Sequence, residues 1–440
     1  MAPRDHNDVI RSTRDTSGPD GALKMSQQHR QDPIETQADE RPSAPTTAGR
    51  SALLGAMFLM ATSAIGPGFI TQTTNFTITL GAAFAFAIVA SILVDIAVQM
   101  NVWRVIGVSG MRANELANKV APGLGWGLAG LILLGGLVFN IGNIAGTGLG
   151  LNAMLGMEAQ LGAVLSVLVA IGIFVSKRAG IALDRIVVVL GAVMILLTLY
   201  IALTSNPPVG AALKNSVLPD NIDFLAITTL IGGTVGGYIT YAGAHRLLES
   251  GTTGPENAGK ITKASVIGIL VTGVMRVVLF LAILGVVAGG AALAKDNPAA
   301  SAFQQAAGEF GLRAFGIIFW AAAITSVIGA SYTTVSFLTT SKTPARTRQW
   351  VTVGFIAVCL GLFLALGKAP VQLLVFAGGF NGVILPLGFT VILWVAWRRR
   401  DLMREYAYPR WLLALGAIAW LLTLWLGWQS LSGLQALWNA

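Results

Sequence analysis

Eleven apolar runs of eighteen or more residues, parted by short polar or basic stretches, confine this chain to one kind of fold. They lie at about 52–80, 82–104, 124–154, 159–176, 186–204, 224–244, 264–291, 314–340, 350–367, 370–397 and 411–434. About 20 apolar residues in a helix cross a bilayer's hydrocarbon core. Inside that core every backbone amide must be satisfied by protein, which leaves helices as the solution for runs of this length. The expectation is an all-α membrane protein with eleven transmembrane helices. Composition agrees: 54% of residues are hydrophobic and only 11% are charged, against roughly 25% charged in soluble domains. A soluble enzyme and a disordered scaffold are both excluded. The net charge of +9 does not signal nucleic acid, because the basic residues cluster at the ends of the apolar runs. The single cysteine, Cys359, lies within such a run, which excludes a disulfide framework and a cysteine-rich metal cluster.

Residues 1–50 differ from the rest. They mix seven Lys/Arg with eight Asp/Glu and hold His6 and His29, with apolar residues few and scattered. Such a segment buries too little to offset its ordering entropy, and it is expected to be a disordered cytoplasmic tail. It has no continuous apolar h-region, so it does not read as a secretory signal. Residues 51–440 form the transmembrane domain. Its loops carry a strong charge asymmetry. Seventeen basic residues, among them Arg104, Arg112, Lys177, Arg246, Lys260, Lys342 and Arg398, fall on the face shared with the tail. Only Lys214, Lys295, Arg313 and Lys368 fall on the other. The positive-inside rule then puts the N-terminus in the cytoplasm and the C-terminus outside, in a plasma (inner) membrane.

Two runs do not read as continuous helices. The first contains Gly66-Pro67-Gly68-Phe69 and then the polar stretch Thr71-Gln72-Thr73-Thr74-Asn75. Pro67 removes a backbone donor and glycine is a poor helix former, so the backbone is expected to open there. The sixth contains Gly232-Gly233-Thr234-Val235-Gly236-Gly237, followed by Tyr238. Small residues also permit close helix packing, and that reading suits Gly146, Gly148 and Gly150 in the third run. The first and sixth runs are different because they open two successive units of five. Paired interruptions of this kind mark a transporter built from inverted repeats, here about 51–204 and 224–397 with an extra helix at about 411–434, and place its site where the breaks meet. The candidate substrate residues are Gly66, Gly68, Phe69, Thr71, Thr73, Asn75, Gly233, Gly236, Gly237 and Tyr238. Tyr238 suits interior packing as well as substrate contact.

Further motifs carry a resemblance. Gln99, Gly107-Val108-Ser109-Gly110 and Glu115-Leu116-Ala117 follow the second run, Asn140 to Asn152 with Gly146-Thr147 fill the third, Thr234-Val235 sit in the sixth and Leu385-Pro386 in the tenth. In this order they resemble the NRAMP (natural resistance-associated macrophage protein) transporters, the metal-ion branch of the LeuT-like inverted-repeat fold. The resemblance runs from about residue 60 to about 395 and implies divalent metal cation transport. The family's metal ligands are missing. Its first-span Asp-Pro-Gly-Asn is here Gly66-Pro67-Gly68-Phe69, and its sixth-span Met-Pro-His is Gly236-Gly237-Tyr238. Its tenth-span Gln aligns with Ile384, and its third-span carboxylates align with Asn140 and Asn143. His245 lies two positions from the family's second sixth-span His. Bare transition metals take imidazole, thiolate, thioether or carboxylate. The expected site offers hydroxyls, amides, carbonyls and an aromatic ring, which suit a hydrated Mg²⁺-like ion or a small carboxylate or amino-acid-like solute met by half-helix N-termini.

Two ionisable residues lie deep in runs. Arg276 is twelve residues into the seventh, about 18 Å along a helix, and Asp95 is nine before Arg104 in the second, about 13 Å. Charges at such depth require partners, so an Asp95–Arg276 ion pair is expected, fixing helix register or serving gating and coupling. Ala330, Thr333 and Thr334 in the eighth run resemble the sodium-site span of LeuT-like sodium transporters, while Asn140 and Asn143 occupy the proton-coupling positions. Sodium coupling, proton coupling and facilitated diffusion all stay open. A channel would want rings of charge or carbonyls along a pore, and an intramembrane enzyme would want a catalytic constellation that Asp95, Arg276, His245 and Cys359 do not make. The reading is a secondary transporter working by alternating access, with the lipid bilayer and a small-molecule or ion substrate as its partners. No cofactor, catalytic residue or nucleic acid is expected.

Overall fold

The computed structural model describes residues 66–339 and 343–439, and side chains for all of these except 177–185 and 187. The tail and the first part of the first apolar run lie outside the described residues. The rest is helical: α1 (Pro67–Leu80), α2 (Phe84–Ser109), α3 (Ala113–Val120), α4 (Leu124–Leu155), α5 (Ala159–Val175), α6 (Lys177–Thr204), α7 (Val209–Val217), α8 (Phe224–Thr234), α9 (Ile239–Glu249), α10 (Ala258–Ala288), α11 (Pro298–Leu338), α12 (Ala345–Leu366), α13 (Pro370–Arg398) and α14 (Arg410–Asn439). Each expected span falls on helix, the first from Pro67 onward. By length and hydropathy, eight helical stretches among the described residues qualify to cross a membrane. The first of these, Pro67–Ser109, has 43 residues and would run about 65 Å if straight, twice a bilayer core of about 30 Å. It is interrupted at Gly81, whose φ of 56° is left-handed and open to glycine at little cost. Two expected spans depart from a simple rod. The fourth is the 17-residue α5, and the fifth continues after Thr204 into α7 through a bend of 105°.

Small residues set how closely the helices approach. The α4–α11 seam is the most extensive helix pairing, with glycine on both sides. A methyl group on Gly150 would lie 2.6 Å from the Trp320 Cα, and one on Gly316 would lie 2.8 Å from the Met154 Cα. Gly146 makes room for the Pro67 ring, 2.5 Å from where its own Cβ would stand. The three glycines of the third run are therefore packing residues, as expected. Without a hydrophobic drive between helices in lipid, backbone proximity of this sort supplies the association energy. α2 and α10 run together through Gln99, whose Nε2 donates to the Ser265 carbonyl at 3.1 Å. Trp103, buried on the same helix, donates to the Thr240 carbonyl at 3.1 Å, tying α2 to the first turn of α9.

Candidate functional site

The sixth-run break is explicit. Helix α8 ends at Thr234, Val235 takes φ −125° and ψ 8°, and helix resumes at Ile239. Gly232 and Gly233 remain helical, and none of Gly232, Gly233, Gly236 or Gly237 has a left-handed φ. These glycines are required for space. A Cβ on Gly232 would strike the Gly378 carbonyl and lie 2.8 Å from the Gly382 Cα, and one on Gly236 would lie 2.7 Å from the Asn381 Cβ. One on Gly237 would lie 2.7 Å from the Ile384 Cδ1. The break is thus pressed against α13, and the Gly237 amide donates to the Asn381 carbonyl at 2.9 Å. Tyr238 is buried, donates its hydroxyl to the Ala330 carbonyl at 3.1 Å and packs its ring 6.0 Å from Phe139.

The first-run break presents a helix start. Gly66 is extended (φ −91°, ψ −175°) and caps α1, with Pro67 in the first helical position, where its missing N–H is no loss. The first intrahelical bond is Ile70 to the Gly66 carbonyl at 3.3 Å, so the amides of Gly68 and Phe69 precede it and have no intrahelical acceptor. Thr71 and Thr73 are buried, Asn75 is half-buried, and Thr73 returns its hydroxyl to the Phe69 carbonyl at 2.7 Å. Phe69 lies among Ile70, Met194, Thr198, Met275, Leu279 and Phe303, which line a narrow, largely apolar recess.

Two amides that were not singled out from sequence join these pieces. Gln72 donates from Nε2 to the Leu374 carbonyl of α13 at 3.0 Å. Its Oε1 is 2.5 Å from where a Cβ on Gly233 would be, so it sits between α1, α8 and α13. Asn381 donates to the Gly135 carbonyl at 3.1 Å and the Ala377 carbonyl at 3.0 Å, linking α13 to α4. Gln72 Oε1 and Asn381 Oδ1 are both buried without a donor. The signal available in sequence was an amide inside an apolar run, whereas Asn140 and Asn143 were picked out by their alignment with the family's third-span carboxylates. Asn140 donates to Ser331 at 2.9 Å, whereas Asn143 Nδ2 meets no acceptor. Thr333 gives its hydroxyl to the Gly329 carbonyl at 2.8 Å, and Thr334 Oγ1 has no partner.

The expected Asp95–Arg276 ion pair needs correction. Both residues are buried, at 1% and 2% exposure, and their charges act on each other through space. They are not among the direct ion pairs of the described residues, which include Lys214 with Asp220 at 2.9 Å and Arg313 with Glu309 at 2.5 Å. Asp95 instead faces Thr234 at the sixth-run break. Arg276 lays its guanidinium over the Phe69 ring, 4.5 Å from the centroid, at the first-run break. The physical reason is the aromatic face, which attracts the cation and holds it by the opposite break. Asp95 Oδ1 and Arg276 Nε and Nη2 have no hydrogen-bond partner. Among the described residues no three His, Cys, Asp or Glu side chains gather as metal ligands.

Comparison with known proteins now adds to this geometry. The sequence matches the family described as natural resistance-associated macrophage protein-like over residues 57–432. The uncharacterized membrane protein YcsG of Bacillus subtilis is 52% identical over 378 residues, covering 84% of this chain and 93% of that one. An uncharacterized membrane protein of Haemophilus influenzae is 50% identical over 367 residues, covering 83% and 92%. Among solved structures, a manganese transporter of Eremococcus coleocola, in complex with an aromatic bis-isothiourea substituted compound, superposes with a TM-score of 0.66 at 16% identity, covering 88% of this chain and 87% of that one. MhsT in complex with L-phenylalanine gives 0.60 at 19% identity, covering 84% and 98%. At such identities the structural likeness speaks for the LeuT-type fold. With the family matched across most of its length, this multi-pass membrane chain belongs to the natural resistance-associated macrophage protein-like transporters.

Proposed function

We propose that this transporter moves a small organic solute, rather than a bare transition-metal ion, by alternating access around the breaks at Gly66–Phe69 and Val235–Tyr238. The observation that carries the reading is the chemistry gathered there. It comprises the helix-start amides of α1, which have no intrahelical acceptor, the Gln72 and Asn381 amides, an aromatic face and a buried guanidinium, with no cluster of metal-ligating side chains among the described residues. Fe²⁺ takes imidazole and Mn²⁺ takes several oxygen ligands, carboxylates among them, and a fixed guanidinium opposes any cation nearby. The fold itself does not select cargo. One structural neighbour is a manganese transporter and another holds L-phenylalanine.

Asp95 Oδ1, Gln72 Oε1 and Asn381 Oδ1, acceptors without donors, support a second reading, in which a hydrated Mg²⁺-like ion is held through its waters. The charge asymmetry of the loops supports a cytoplasmic N-terminus. Thr334, with its free hydroxyl oxygen, is the residue through which sodium coupling would act. The deciding experiment is uptake into proteoliposomes of Mn²⁺, Mg²⁺ and a panel of small organic solutes, each with and without sodium and proton gradients. Accumulation of an organic solute and not of Mn²⁺ is expected. Mn²⁺ accumulation at micromolar concentration overturns the reading.

A further inference from the structure

The buried groups left without partners are not scattered. Arg276 is 2% exposed, and its Nε and Nη2 meet no acceptor among the described residues. Those two nitrogens form one edge of the guanidinium, the edge whose parallel N–H bonds match the two oxygens of a carboxylate. A buried guanidinium edge without hydrogen bonds at this depth is costly, and a protein that keeps one there normally uses it. The guanidinium lies 4.5 Å over the Phe69 ring. Phe69 belongs to the first turn of α1, where the Gly68 and Phe69 amides have no acceptor among the described residues and the helix dipole favours an anion.

The recess beside this point is lined by Phe69 and by Met275, the neighbour of Arg276 in sequence, together with Met194, Leu279 and Phe303. A guanidinium edge next to apolar side chains matches the chemistry of a charged head with a short apolar body. An inorganic anion would leave the apolar half unused. A divalent cation would face the arginine.

We propose that Arg276, held over Phe69 at the start of α1, binds the carboxylate of a small organic monocarboxylate whose carbon body lies against the apolar side chains around Phe69. This rests on the organic-solute reading above and names its chemical class. Asp95 is the internal rival for the same guanidinium. It faces Arg276 without closing a direct pair, and its other polar neighbour is Thr234 on the opposite break. Cargo and Asp95 therefore compete for one cation, which links occupancy at the first break to the sixth.

The test uses the full chain in nanodiscs, with thermal protection and proteoliposome counterflow as readouts. The probes are a series of monocarboxylates of two to six carbons, with chloride, inorganic phosphate and Mn²⁺ as separate arms. At least one monocarboxylate is expected to protect, and chloride and phosphate are not. Arg276→Lys keeps the charge but loses the fork, and it should weaken that binding at least tenfold. Asp95→Asn removes the rival and should tighten it several-fold. If Arg276→Lys does not fold, the double variant Asp95→Asn/Arg276→Gln removes both charges together, and loss of monocarboxylate binding in it supports the proposal. Binding retained in either arginine variant, equal protection by chloride or phosphate, or no protection by any monocarboxylate overturns it. Uptake of an organic solute that is indifferent to Arg276 removes this assignment and leaves the transporter reading standing. Uptake of Mn²⁺ alone removes both.

Discussion

The two breaks carry the same glycine-rich signature and do different things. At the sixth-run break the glycines fit into α13, with Gly232 against Gly378 and Gly382, and Gly236 and Gly237 against Asn381 and Ile384. Their backbone is also bonded across the seam, from the Gly237 amide to the Asn381 carbonyl. At the first-run break Gly66 and Pro67 start a helix whose leading amides have no intrahelical partner, beneath the Arg276 guanidinium and beside an apolar recess. The surrounding cores differ too. Phe69 and Ile70 pack with Met194, Met275, Phe303 and Phe315, whereas Val235, Tyr238 and Tyr241 pack with the cluster around Trp103 and Phe389. One break is a packed joint, and the other is the face proposed above to meet cargo. Glycine marks places where a side chain does not fit, and the neighbour decides whether the space goes to backbone or to a ligand.

Substitution at the joint should have the largest effect. Gly232→Ala drives a methyl group into the backbone of α13, an overpacking expected to cost about 1–3 kcal/mol or more. Gly68→Ala places its methyl group 3.4 Å from Gln72 Nε2, ordinary contact, and should fold normally. Thermal unfolding of the two purified variants decides the matter, and equal losses would erase the distinction between the breaks.

Next comes Gln72→Ala, which removes the side chain joining α1 to the Leu374 carbonyl at 3.0 Å. Loss of that bond should destabilise by about 1 kcal/mol and lower uptake of whatever solute the proteoliposome assay identifies. Unchanged uptake would mean that the two breaks work without this bridge. An effect on stability alone is expected for Tyr238→Phe. Its hydroxyl serves the Ala330 carbonyl at 3.1 Å, so stability should fall by about 0.5–1.5 kcal/mol with cargo affinity unmoved. A large loss of affinity at constant stability would return Tyr238 to the binding face.

The smallest effect lies at the surface, between α7 and α8. Lys214 and Asn215 hydrogen-bond the Asp220 carboxylate and hold its pKa below the usual value. A depressed carboxylate contributes stability above its unfolded pKa and loses it as pH falls through the depressed folded value. The pair is fully exposed, and such pairs contribute little. Unfolding temperatures of Asp220→Asn and the parent chain should therefore coincide from pH 7 to pH 5, and a pH dependence of stability in that window would have to come from elsewhere in the molecule.

Much of this was legible in the chain of letters. Runs of apolar residues report helices because lipid leaves the backbone no other arrangement, and each expected span falls on helix from Pro67 onward. The positions of the breaks were legible as well, because Pro67 lacks an amide hydrogen and four glycines stand within six residues. The role of those glycines was not, since a missing Cβ has the same signature at a joint and at a binding face. Gln72 and Asn381 carried a readable signal, a polar amide in an apolar run, yet what marks them out is that each reaches a second helix. The Asp95–Arg276 pairing followed sound reasoning about the cost of charge in lipid and still missed the contact that forms.

From sequence alone followed the membrane class, the succession of helices, the places where two of them open and the family. These depend on transfer energies and backbone preferences that act residue by residue along the chain. Tertiary structure decided that Arg276 rests on Phe69 and not on Asp95, that the sixth-run glycines belong to α13, and that the leading amides of α1 adjoin a recess. Successive residues turn about 100° around a helix axis. Which polar groups meet therefore depends on how each helix is rotated and how deeply it seats against its neighbours, and packing sets both.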